Sequence, residues 1–404
     1  MAVSILDTLD IIATQIPTLS TEIIPIEESV GRIVTQDYLA SFDLPRFDNS
    51  AMDGYAVKRA DAGKEVSCQE VIYAGDTANI ELKKGMAIKI MTGAPVPQEI
   101  DAIVPIENVT QTGEKIQLPD EIQANAFIRI AGEDIKAGTV YLHEGESINA
   151  YTIASLASQG VTHVSVTKKI KVAVFGTGDE LRPHFEKIEA HQLYNSNSPM
   201  FLARSKELGC DVSFIHSVAD NIDALESAIA STLGVDIIIT SGGVSVGDKD
   251  FTTQAFSNLG MEILINKIDI KPGRPTVIGH IGKTIVVNLP GNPLAAMVNY
   301  ELFVRAIIRK LSGNKQKYHH SIQTVMEADY KVRGGKYAVI LGKYTGRSFS
   351  ALSTQMPGMV SPMQEADGCI LITPETTLLS RGQVVNMIAI RWEMYSDKKE
   401  GLLS

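Results

Sequence analysis

Val235-Asp-Ile-Ile-Ile-Thr-Ser-Gly-Gly-Val-Ser-Val-Gly-Asp-Lys-Asp250 sets a short apolar run directly against a loop of glycines, serines and charges. Val235–Ile239 has the length and β-branched composition of a strand buried on both faces. Glycines at 242, 243 and 247 let backbone N–H groups approach an anion closely. Asp248 or Asp250 can cap a following helix, whose N-terminus adds positive potential. Ser241 and Ser245 contribute hydroxyl donors. The plain alternative is a tight turn that needs glycine for geometry alone. No Gly-Lys-Ser/Thr ending follows, so a Walker phosphate loop is excluded.

The pattern repeats on both sides of this loop. Lys171-Val-Ala-Val-Phe175 runs into Gly-Thr-Gly as a second buried strand, and Ser198-Pro199 reads as the start of a helix closed by Gly209. A strand over Asp211–Val218 precedes a helix from Asn221 to about Leu233, ended by Gly234. Met261–Ile270 reads as a further strand, leading to Lys271-Pro-Gly-Arg274. A hairpin turning near Gly282 ends in Asn288-Leu-Pro-Gly-Asn-Pro293, and a long amphipathic helix runs on to Lys310. Strands alternating with helices predict a three-layer, mainly parallel α/β unit over 169–314. Ser41–Arg129 lacks a helical period and reads as a β module inserted over 41–134. Helical signals at Ser4–Thr14 and Tyr151–Gln159 assign 1–40 and 135–168 to a linking unit. Residues 315–404 read as a small C-terminal β domain behind the polar link Lys315–His320. The fold class is therefore multidomain α/β.

Composition narrows the function. A net charge of −10 argues against a nucleic-acid surface, which needs a basic stripe. No apolar run approaches the ~20 residues of a membrane helix. MAVSILDTLDII carries acids early and no basic segment, so no signal peptide is expected. Cys68, Cys210 and Cys369 are few and far apart, pointing to a reducing, cytoplasmic setting rather than a disulfide framework.

In open α/β sheets the ligand crevice lies at the carboxyl ends of the strands. Gly176-Thr-Gly-Asp-Glu180 follows one strand and Asp220 ends another. Lys267, Lys271 and Arg274 flank a third, and Pro290-Gly-Asn-Pro293 opens the last helix. Asp179, Glu180 and Asp220 alone could be helix caps, and the three cations alone a solvated face. Together they suit a site where a divalent ion meets phosphates and an oxyanion. A second polar cluster, Phe47-Asp-Asn-Ser-Ala-Met-Asp-Gly-Tyr-Ala-Val57, packs Asp48, Asn49, Ser50 and Asp53 among apolar residues. Met91-Thr-Gly-Ala-Pro-Val-Pro97 and Arg129-Ile-Ala-Gly-Glu-Asp134 are similar, and each alone reads as a turn.

Taken together, these segments resemble the molybdopterin molybdenumtransferase family, whose eukaryotic relatives include the E domain of gephyrin. The matching pieces are Phe47–Val57, Met91–Pro97, Gly132–Ile135, Gly176–Leu181, Ser241–Phe251, Lys271–Pro275 and Leu289–Pro293, in the family's order. The resemblance implies that molybdate is inserted into adenylylated molybdopterin with release of AMP, assisted by Mg²⁺. It marks Asp53, Thr92, Asp134, Glu180, Asp220 and Asp250 as catalytic, the last three on the metal. Substrate and anion contacts would come from Arg129, Ser241, Gly242, Gly243, Ser245, Lys267, Lys271, Arg274, Pro290, Pro293 and Ser361. It also implies a homodimer whose site joins the central unit of one copy to the β module of the other. Molybdopterin adenylyltransferase and molybdoenzyme-maturation proteins are the partners it suggests.

The chain departs from the family at Ala295, where a small hydroxyl residue is common, and at Asn195, where Asp is common. Gly335-Lys336-Tyr337 stands in place of an Arg-x-Glu-Phe-like stretch, so Lys336 offers a charge without a bidentate fork. Two other functions compete: the adenylyltransferase, which needs only the central unit, and a non-catalytic scaffold. Tungstate is a competing oxyanion of nearly the same shape and charge.

Overall fold

Neighbouring residues of one strand lie in different cores. Val172 and Val174 join one apolar cluster with Phe201 and Leu294, while Ala173 and Phe175 join another with Leu225, Ile229 and Phe256. A strand apolar on both faces must be covered on both faces, which makes the three-layer arrangement. Each large side chain so buried contributes roughly 2 kcal/mol, and a one-residue slip would exchange the two faces. The computed structural model describes residues 2–218, 221–243 and 251–391. They form two units: residues 1–23, 31–35 and 165–404 make one, residues 24–30 and 36–164 the other.

The first unit holds a six-stranded sheet in the spatial order Asp211–Val218, Lys171–Thr177, Ile237–Ser241, Thr284–Leu289, Val277–Ile281, Glu262–Ile265. The first four are mutually parallel, and Val277–Ile281 runs against both of its neighbours. Glu262–Ile265 therefore points the same way as the parallel set, and its loop emerges at the same edge. Two expected strands are shifted or shortened: the apolar run at 235 pairs over Ile237–Ser241, and the strand expected over Met261–Ile270 stops at Ile265. The helix expected from Ser198 begins at Asn197, because the Asn195 side chain rather than Ser198 accepts from the first turn.

The segment from Pro293 to Leu311 departs most from expectation. It is helical throughout but not amphipathic: residues 294–304 are all buried, and Tyr300–Val304 is wound as a π-turn. It lies in the main core together with Ile5 and Ile12 of the helix Ile5–Gln15, its C-cap Ile16, and Val339, Leu341 and Cys369 of the C-terminal domain. That domain is a closed barrel of Ser321–Met326, Ser348–Ala351, Ala338–Tyr344, Gly368–Ile372 and Val384–Ala389.

The second unit is built on a six-stranded β sheet ordered Ala102–Pro105, Gly54–Val57, Met86–Ile90, Glu65–Ile72, Lys115–Gln117, Thr110–Thr112. Tyr55 and Val57 pack on one face and Ala56 on the other. The helix Ala150–Ser158 is capped by Asn149, whose side chain accepts from Tyr151 and Thr152 N–H.

Candidate functional site

The loops at the carboxyl edge of the first unit's sheet are pinned to one another by side-chain amides. Asn197 Nδ2 donates to Ser241 Oγ at 2.7 Å and to the Gly291 carbonyl at 2.9 Å, fastening the glycine loop to the Pro290–Pro293 turn. Gly242 N–H donates to the Leu289 carbonyl at 3.2 Å across the same gap. Gly242 has φ +105°, and a Cβ there would stand 2.5 Å from the Thr177 carbonyl, so only glycine lets the loop turn this close to the neighbouring strand. Gly243 continues the turn, and the side chains of Ser245 and Asp250, like Asp220, lie outside the described residues.

Lys267, Lys271 and Arg274 sit on a turn anchored from three sides. Lys267 carbonyl accepts from Val3 N–H at 2.8 Å, and Lys271 exchanges backbone bonds of 2.9 Å with Tyr337 and Val339 of the barrel. Asn299, fully buried on the long helix, donates to the Gly273 carbonyl at 3.1 Å. Gly273 has φ +114°, and a Cβ would lie 1.8 Å from the Asn299 amide. Lys336 precedes Tyr337, so the Gly335-Lys336-Tyr337 departure places its cation next to this turn. Lys271, Arg274 and Lys336 are exposed, and with half-buried Lys267 none is ion-paired among the described residues. The barrel also reaches the Pro290–Pro293 turn, where Leu294 N–H donates to the Pro357 carbonyl at 3.0 Å. Ser361, exposed, opens the short helix that follows. Pro290 is buried and Pro293 half-buried.

Glu180 is exposed, and its carboxylate folds back over Gly178. It is the only member of the expected metal trio among the described residues, which contain no complete group of three candidate ligands. The Asn195 departure is structural: its Nδ2 donates to Ser198 Oγ at 3.0 Å and its Oδ1 accepts from Ser198 N–H at 3.0 Å. Aspartate could accept there but not donate. Ala295 is buried, and its carbonyl accepts from Asn299 Nδ2 at 2.9 Å.

In the second unit the three polar segments form a single knot. Asp53 Oδ1 accepts from both Thr92 N–H and Thr92 Oγ at 2.8 Å. Those two bonds, the backbone one first, hold the Asp53 carboxyl below its ordinary value. Ser50 N–H donates to the Ala94 carbonyl and Gly93 N–H to that of Ser50, zipping the two loops together. Asp48 Oδ1 accepts from Ala131 N–H at 2.7 Å, and Arg129 pairs with Asn49, which brings in the third segment. Arg129 and Asp134 are exposed beside Phe47, Met52, Phe127 and Ile130, which are exposed as well.

Sequence reasoning brought together Asp53, Thr92, Arg129 and Asp134 in one unit, and Glu180, Ser241, Gly242, Gly243, Lys267, Lys271, Arg274, Pro290 and Pro293 at one sheet edge. It missed Asn197 and Asn299, which hold those loops, and the linking role of Asp48.

The chain is similar in sequence and fold to known proteins. A family model described as the MoeA N-terminal region (domain I and II) matches residues 3–160, and one described as a probable molybdopterin binding domain matches 173–310. A protein of Staphylococcus epidermidis named molybdopterin molybdenumtransferase is 32% identical over 377 residues, 90% of each chain. Its namesake from Haemophilus influenzae is 36% identical over 300 residues, 73% of this chain and 74% of that one. The crystal structure of the molybdopterin biosynthesis moeA protein from Pyrococcus horikoshii OT3 superposes with a TM-score of 0.82 at 25% identity, over 96% of this chain and all of that one.

Proposed function

The chain belongs to the molybdopterin molybdenumtransferase family, and on that premise we propose that it works in molybdenum cofactor biosynthesis, inserting molybdate into adenylylated molybdopterin with release of AMP. The observation that carries the reading is the 90% coverage by a curated molybdenumtransferase, which spans both units. An adenylyltransferase would need only the sheet edge, whereas the match over residues 3–160 includes the Asp53–Thr92 knot.

The chemistry of the edge supports the proposal. Molybdate is a tetrahedral dianion, and Lys267, Lys271, Arg274 and Lys336 offer cations without acidic partners among the described residues. Because Gly242 N–H is engaged by the Leu289 carbonyl, the turn offers Gly243 N–H and the Ser241 hydroxyl to a substrate phosphate, with Ser245 and Ser361 as further hydroxyl contacts and Pro290 and Pro293 shaping the rim. Glu180 offers an exposed carboxylate oxygen pair, the hard donor that Mg²⁺ takes, and would hold it with Asp220 and Asp250. A bound Mg²⁺ would neutralise charge developing on the pyrophosphate bond. Asp53, Thr92, Arg129 and Asp134 act in this reading from the second copy of a homodimer. We place the enzyme in the cytoplasm, with molybdopterin adenylyltransferase upstream and molybdoenzyme-maturation proteins downstream. No described helix is long and apolar enough to cross a membrane.

Purified protein incubated with adenylylated molybdopterin and Mg²⁺ is expected to release AMP only when molybdate is added, with tungstate run in parallel. Release that is absent, or independent of either oxyanion, would overturn the proposal.

A further inference from the structure

At the far end of the buried helix, Arg305 and Arg309 meet the link Lys315–His320 around a cavity of about 940 Å³. The helix residues from Pro293 to Leu311 rise about 1.5 Å each, which puts this cavity roughly 25 Å from the Pro290–Pro293 turn. It is therefore separate from the candidate site. Its volume is of the size that holds small ligands, ~300–1,000 Å³.

The lining is unusual in charge. Arg305 and Arg309 are one helical turn apart, and Lys315 and Lys317 face them from the link. Burial first, and then the charge of Arg305, hold the Arg309 guanidinium below its ordinary value. Lys310 is lowered in the same way by burial and by Lys317. Arg309 donates to the Gln316 carbonyl, to Asn314 Oδ1 at 3.1 Å and to Gln316 Oε1 at 3.5 Å, all neutral acceptors. Two acids are near. Glu301 reaches Arg305 at 3.5 Å but is already bound by Arg204 at 2.6 Å, and Asp10 accepts from Tyr318 Oη at 3.1 Å. Arg309, Lys315 and Lys317 have no ion-pair partner among the described residues.

Arg309 and Lys310 at a helix C-terminus would be ordinary complements to its dipole. That explanation does not reach Lys315 and Lys317, which lie beyond the helix. Nor is the cluster a by-product of composition, since the chain carries a net charge of −10. Crowded like charges without counter-charge are a local cost that a bound anion relieves. Arg305 is held by the Ala389 carbonyl and the Glu301 carboxylate, and Arg309 by the Gln316 carbonyl and the Asn314 and Gln316 amides, so their remaining N–H groups are fixed in advance for a phosphate. Ile322 and Ile388 give the cavity an apolar wall, and Tyr318 adds an aromatic ring.

We propose that this cavity is a second anion site, taking a small phosphate-bearing ligand on Arg305, Arg309, Lys315 and Lys317. The phosphate is the recognised chemistry, and the carrier is either a nucleotide, with its base on the apolar wall, or an inorganic polyphosphate.

Calorimetric titration of the full chain with ATP, pyrophosphate and adenosine separates these sources. ATP and pyrophosphate are expected to saturate and adenosine not to bind. ATP at least tenfold tighter than pyrophosphate would identify the nucleotide, and equal affinity the phosphate alone. The exposed pair K315Q/K317Q should weaken binding at least tenfold with an unchanged melting curve, and Lys271→Ala should leave this component intact. No saturable binding to the unsubstituted chain, or binding lost in Lys271→Ala but kept in K315Q/K317Q, would overturn the inference.

Discussion

Asp53 takes two hydrogen bonds from one residue, and both favour its ionised form. A carboxyl held below its ordinary value stabilises the fold above the ordinary carboxylate range, and that contribution is lost as pH falls through the lowered value. Thr92→Val removes the hydroxyl donor and keeps the backbone one. The Asp53 titration, followed by carboxylate NMR, should then move upward part of the way toward an ordinary aspartate. An unmoved titration would mean that the hydroxyl bond does not act on this carboxylate. At this scale the sequence was legible for residues whose chemistry is local. Glycines mark turns, and carboxylates and cations mark strand ends. It was silent on Asn197 and Asn299. Their partners lie 44, 94 and 26 residues away, so nothing in their neighbourhood distinguishes them from surface asparagines. Asn195 differs, since its partner is local: it read as a lost charge, and its amide both donates to and accepts from Ser198, three residues on.

The helix after the Pro290–Pro293 turn shows what elements conceal. Its apolar positions suggested one outward face, but the barrel and the helix Ile5–Gln15 cover it, so that face does not exist. The π-turn places Glu301, buried, in a fork with Arg204 at 2.6 and 3.1 Å. Although burial opposes its charge, Arg204 is raised above its ordinary value by those bonds. Arg204 also donates to the Ile390 carbonyl at 3.1 Å, so the pair ties the sheet layer to the residue that follows the last barrel strand. Breaking a buried pair by removing one partner leaves an uncompensated charge, at a cost of about 3 kcal/mol. Glu301→Gln should therefore lower the denaturation midpoint by that amount in free energy, and a loss below about 1 kcal/mol would contradict this role. Strands with strong β-branched patterns, Lys171–Thr177 and Asp211–Val218, were legible almost to the residue. Met261–Ile270 was not, because pairing to Val277–Ile281 ends at Ile265 and the chain turns toward Val3 instead.

On the scale of the molecule, the chain divides its chemistry between two units. One carries a sheet edge with Lys267, Lys271 and Arg274 beside it, braced by the barrel, and the other a carboxylate knot made from three distant segments. Neither set alone has both the cations for an oxyanion and the full complement of polar groups that the family motifs supply. The family relationship was legible because seven short motifs fall in one order along the sequence. The braces between them were not, since they depend on the fold. In the proposed dimer both units serve one reaction, across two copies of the chain. Co-expressed heterodimers of Asp53→Ala with Glu180→Ala, isolated by two different tags, test it most directly. One of their two sites would be intact, so about half the molybdate-dependent AMP release of the unsubstituted dimer is predicted, with each parent homodimer nearly inactive. A heterodimer as inactive as its parents would contradict a site shared between copies.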